Sequence, residues 1–152
     1  MKKIMLYALV VIVIIALGLT ARFYAMGKQS KNTPNAGLVE GALQACPNRP
    51  SCVCSTDTLE QHAIHALQVP ANTEAPIDAL ATVIKAMPNA AIVSQQDNYL
   101  HATFTSKLFR FVDDVELLLD GEQVQVRSVS RVGYSDLGAN RKRIEAIRAA
   151  FK

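Results

Sequence analysis

The feature that most limits this chain lies at its start. Met1, Lys2 and Lys3 precede residues 4–21, IMLYALVVIVIIALGLTA, which carry no charge. The run is just long enough to cross a bilayer as a helix. It has no polar face, which a helix packed on a water-soluble core would show. It is long for the apolar region of a cleaved signal peptide, and Phe23-Tyr24-Ala25 is a poor cleavage site. An uncleaved signal anchor is therefore favoured over a cleaved leader. Lys2 and Lys3 balance Arg22, Lys28 and Lys31, so the positive-inside count is near a tie. The short tail ahead of the anchor favours an inside N-terminus and an exported remainder. The expected organisation is a transmembrane anchor at 1–21, a flexible tether at 22–45 and an exported domain at 46–152. The tether reading rests on Gly27, Asn32, Pro34, Asn35, Gly37 and Gly41, with no sustained periodicity.

The part beyond the tether is large enough for one core. A formal charge of +3 over 152 residues is too mild for a nucleic-acid footprint. With no Trp and 6% aromatic residues, base-stacking platforms are not expected either. No cofactor motif is legible.

Cys46, Cys52 and Cys54 sit in ACPNRPSCVCS, with Pro47 and Pro50 tightening the turn. A Cys46–Cys52 bridge would need an oxidising compartment, in agreement with export, and would leave Cys54 over. The rival readings are unpaired thiols, or a metal site with His62 and His65. No C-x-x-C is present and no standard zinc spacing is matched. The three cysteines and two histidines nevertheless keep metal handling open as a function.

The expected fold is α+β: about four strands in a small antiparallel meander packed with two helices. Residues 76–87 place Ile77, Leu80, Ala81, Ile84 and Met87 on one helical stripe behind Pro76. Residues 90–95 and 99–105 read as strands about an Asp97-Asn98 turn, with His101 on a sheet surface. Asp120-Gly121 is the strongest hairpin signal. A two-residue turn there sets Asp114 against Arg127. A pairing slid by two sets Glu116 against Arg127 and leaves the faces unchanged. One face then carries Phe109, Phe111, Val115, Leu117, Val124, Val126 and Val132, with Asp113, Ser128 and Ser130 set into it. The other carries Arg110, Asp114, Glu116, Arg127 and Arg131, and reads as a solvated surface of cross-strand pairs. A closing helix spans about 136–151, capped by Ser135 or Asp136. Its N-terminus, near Ser130, Arg131, Ser135, Asn140 and Arg141, is suited to a phosphate or carboxylate.

Three stretches, CPNRPSCVCS, YLHATFTSKLFRFVDDVELLLD and VRSVSRVGYSDLGANRKRIEAIR, resemble the bacterial and plastid domain-of-unknown-function 1499 family over about residues 46–150. The family's C-P-x-x-P-x-C loop falls on Cys46, Pro47, Pro50 and Cys52. Its F-x-D-D-x-E segment falls on Phe111, Asp113, Asp114 and Glu116. Its serine- and arginine-rich segment falls on Arg127, Ser128, Ser130, Arg131, Gly133, Ser135, Asp136, Gly138, Asn140 and Arg141. The resemblance implies a small domain in membrane-anchored, lipoprotein or periplasmic-type contexts; with the anchor and the cysteines, the expected location is a bacterial inner membrane with the domain facing the periplasm. It implies no activity.

The first expectation is non-catalytic binding of an anionic envelope component or protein partner. The candidate ligand residues are Asp113, Asp114, Arg127, Ser128, Ser130, Arg131, Ser135, Asp136, Asn140 and Arg141. The alternative is a hydrolase or transferase using Asp113 and Glu116 with Arg127 and Arg131. No nucleophile–base pair at a recognisable spacing supports it.

Overall fold

The computed structural model describes residues 2–152. A first helix, α1 (Lys2–Lys31), contains the apolar run and continues past it; it is long and apolar enough to cross a membrane. The helix therefore does not stop where the apolar run stops at Ala21. Its last turns reach the folded domain, where Gly27 and Ser30 are buried. Residues 32–51 form no strand longer than the isolated Val39–Ala42 bridge.

The domain is built from β1 (Cys52–Cys54), β2 (Leu67–Gln68), α2 (Pro76–Lys85), β3 (Ala90–Gln95), β4 (Tyr99–Thr105), β5 (Val112–Asp120), β6 (Gln123–Ser130) and α3 (Ala139–Ala150). The sheet is antiparallel in the order β1-β6-β5-β4-β3, and β2 also pairs with β6. Six strands replace the expected four or so. The two additions are three and two residues long, too short to show an alternating pattern, and both lie along the outer edge of β6.

The β5–β6 register is the slid one. Asp120 pairs with Gln123, so the two-residue turn is Gly121-Glu122 and Glu116 faces Arg127. Gly121 adopts φ +60, a conformation that favours glycine at the first central position of a hairpin turn.

The helix side of the sheet holds the main core. Leu100, Ala102, Phe104, Val115, Leu117, Val124 and Val126 pack against Ile77, Leu80 and Ile84 of α2 and Ile144 and Ile147 of α3. Strand alternation and the helical stripe thus meet as the sequence pattern demands. The opposite side is also covered. Leu43, Cys54 and Tyr99 form a second buried cluster with Leu38 and Cys46 around it. Cys46 and Cys52 are joined by a disulfide, and Cys54 is a free, buried thiol.

Candidate functional site

The charged side of the sheet is not solvated. Asp114 and Glu116 are fully buried and Arg127 is 1% exposed. Chain segment 30–37 lies over them. Asp114 accepts hydrogen bonds from His101 Nε2 at 2.8 Å, Arg131 Nε and Nη2 at 2.9 and 2.8 Å, and the Asn35 amide at 2.9 Å. Glu116 accepts from Arg127 Nη1 at 2.7 Å, the Tyr99 hydroxyl at 2.8 Å and the Gly37 amide at 2.8 Å. Arg127 also donates to the Asn35 carbonyl at 2.7 Å. Arg131 donates to the Ser30 and Lys31 carbonyls at 3.2 and 3.1 Å, at the C-terminus of α1, where a cation is favoured.

These contacts set the protonation states. Burial alone would raise the Asp114 pKa, but the bonds from His101 and Arg131 outweigh it and hold the carboxyl at about 2. For Tyr99, burial and the hydrogen bond to Glu116 act together and push the phenol upward. An ionised, saturated Asp114 has no proton to give and no free lone pair facing a substrate. His101, read from sequence as a surface histidine, is part of this buried layer.

A second network lies on the helix side. Asn140 donates to the Ser51 carbonyl at 3.0 Å and Ser130 Oγ at 3.1 Å, and accepts from Ser128 Oγ at 2.6 Å. Asp113, half-buried, is paired with Arg143 Nη2 at 2.6 Å, and the Arg143 guanidinium stacks 4.7 Å over the Phe104 ring. A carboxylate set into the core face needs a partner, and a cation from α3 supplies it. Arg49 donates to the Ser130 and Gly133 carbonyls at 2.6 and 3.1 Å. Asp136 accepts from the Gly138 and Asn140 amides at 3.0 and 2.7 Å, ahead of the helix it was expected to cap.

The ten sequence-predicted residues therefore divide. Asp114, Arg127 and Arg131 lie on one side of the sheet. Asp113, Ser128, Ser130 and Asn140 lie on the other, with Ser135 and Asp136 in the loop leading to α3. Arg141 is exposed, its guanidinium 3.4 Å from the Gln61 carbonyl. Arg49, Tyr99, His101 and Arg143 were missed. Only Arg143 had a legible signal: a core-face Asp113 demands a cation or a donor, and α3 offers several.

A cleft of about 300 Å³ opens where α1 meets the domain. Phe23, Met26, Phe111, Val132 and Tyr134 give it apolar walls, and Asp113, Ser106, Ser130, Ser135 and Asp136 supply its polar edge. Two larger depressions flank Glu74 and Pro76 and contain none of the predicted residues, and one of about 340 Å³ beside His65 and Glu145 is lined by Arg141. Among the described residues, no three His, Cys, Asp or Glu side chains are grouped to hold a metal ion. The disulfide takes two of the sulfurs that metal handling would need.

No curated protein and no solved structure matches this chain. Residues 42–151, which include every strand and both α2 and α3, match a family described as Protein of unknown function (DUF1499), and the chain belongs to that family.

Proposed function

We propose that the chain is a single-pass membrane protein, its domain on the extracytoplasmic side of a bacterial inner membrane, and that it binds a ligand without catalysing a reaction. The ligand is taken up in the cleft between α1 and the domain. The observation that carries this reading is the lining of that cleft: apolar walls with hydroxyls at one edge beside Asp136 and the Arg143-paired Asp113, and no cation among the lining residues. That chemistry suits an apolar molecule with a neutral or cationic hydrogen-bonding end. It does not suit an anion. Of the arginines named for an anion, Arg127 and Arg131 are neutralised by Glu116 and Asp114. The disulfide supports the oxidising side of the membrane.

The alternative reading as a hydrolase or transferase lacks geometry. Asp113 and Glu116 project from opposite faces of β5, and Glu116 has no solvent exposure.

Two measurements test the proposal. A C-terminal phosphatase fusion should be active only when the domain is exported, and activity of a cytosolic reporter at the same position would overturn the topology. The full chain in mild detergent should bind dodecylamine or dodecanol saturably and dodecanoate more weakly. Ala139→Phe, at the half-buried rim of the cleft, should remove that binding without changing the thermal midpoint. Equal binding to the variant, or tightest binding of dodecanoate, would overturn the assignment.

A further inference from the structure

Beyond α1, the three most exposed large apolar side chains among the described residues are Leu137 (89%), Leu108 (79%) and Tyr134 (75%). Single exposed leucines are ordinary on a protein surface. These three lie on two loops, 106–111 and 131–138, and both loops meet the same stretch of α1. The Phe109 ring lies 5.1 Å from the Phe23 ring, and the Phe111 ring lies 6.4 Å from it. The Phe109 carbonyl rests directly on Gly27. Tyr134 and Ser135 share the cleft lining with Phe23 and Met26.

Helix geometry converts these contacts into heights. At 1.5 Å per residue, Phe23 stands about 3 Å, and Gly27 about 9 Å, beyond Ala21 along the helix axis. The headgroup layer on one side of a bilayer is roughly 5 to 7 Å thick. If residues 4–21 fill the hydrocarbon, Phe23 and the loop residues packed on it stand within the headgroup layer, and the Gly27–Phe109 contact stands just outside it. Residues of this kind, leucine with an amphipathic tyrosine and flanking Lys107 and Arg110, suit that layer. Lys107 and Arg110 are both exposed.

We propose that loops 106–111 and 131–138 are seated in the surface of an anionic phospholipid bilayer, with Leu108, Tyr134 and Leu137 entering the acyl boundary and Lys107 and Arg110 meeting the headgroups. This rests on the reading of α1 as the membrane span. The domain would then be held against the membrane at three points, and the cleft would open at the lipid surface.

The chain has no Trp, so a single introduced Trp reports one position. Leu108→Trp, Leu137→Trp, Leu17→Trp within α1, and Glu122→Trp at the far hairpin would each be placed in the full chain. The variants would be reconstituted into phosphatidylcholine–phosphatidylglycerol vesicles whose acyl chains carry bromine. Trp at 17, 108 and 137 should be quenched about twofold or more relative to unbrominated vesicles, with 108 and 137 quenched best by shallow bromines. Trp at 122 should be unaffected. Quenching at 17 with none at 108 and 137 overturns the seating and leaves the anchor intact. No quenching at 17 overturns the anchor and the seating with it. Lys107→Glu with Arg110→Glu should reduce quenching at 137, and removing phosphatidylglycerol should do the same. Equal quenching with and without that lipid overturns the charged half of the contact.

Discussion

Buried charges in this domain are tolerable only as complete sets. Arg127 meets Glu116 in the sheet interior, its Nη1 donating to the carboxylate and to the Asn35 carbonyl. Arg127→Ala strands the Glu116 carboxylate, and urea unfolding should show a loss of about 3 to 5 kcal/mol. Arg127→Met with Glu116→Gln, which keeps an acceptor for Tyr99 and Gly37, should recover part of that loss. Asp114 adds a pH dependence. Its folded pKa, about 2, lies below the ordinary 3.8, so its contribution is complete above pH 4 and disappears as pH falls from there toward 2. The contribution is roughly 2 kcal/mol. The acid limb of a stability–pH curve should flatten in Asp114→Asn, measured between pH 2 and 6. A parallel acid limb in the variant would mean that other carboxylates dominate.

At the scale of elements, α1 matters as much for its end as for its apolar run. Gly27 allows the Phe109 carbonyl to approach where a side chain would collide. Ser30 ties the same turn to β5, its Oγ accepting from the Val112 amide at 3.0 Å. Arg131 closes the last carbonyls. Gly27→Val should part the helix end from loop 106–111 while the sheet and its two packed helices stay folded. Trypsin cleavage at Lys28 and Lys31 should then accelerate by about tenfold or more, as a docked segment becomes an open one. Residues 32–152 should survive as a resistant fragment. Unchanged cleavage would show that the contact contributes little to the docking of α1.

For the whole molecule, the disulfide and the core act separately. The Cys46–Cys52 loop is short, so chain-entropy reasoning assigns it roughly 2 kcal/mol. The main core between sheet and helices does not include it. Reduction should therefore lower the thermal midpoint by several degrees without abolishing the cooperative transition. Loss of the near-native circular dichroism spectrum on reduction at 25 °C would show that the loop organises the domain rather than bracing it. Cys54, buried under Leu43, should react with a thiol reagent only after unfolding.

Local pattern made much of this protein legible from its residues alone. The uncharged run, the α2 stripe behind Pro76, the alternating strands, the hairpin at Gly121 and the Cys46–Cys52 pairing all depend on residues near one another in the chain. Periods of two and 3.6 report them directly. The fate of the charged face was not legible. Asp114, Glu116, Arg127 and Arg131 have the alternation of a wet sheet surface. Only the return of residues 30–37, whose amides and carbonyls bond side chains 79 to 101 positions away, turns that surface into an interior. A segment without hydrophobic periodicity carries no mark of the surface it will cover, because backbone hydrogen bonds, not apolar side chains, hold it there. Tertiary structure alone therefore decided which charges are free, and with them what kind of ligand the domain is fitted to meet.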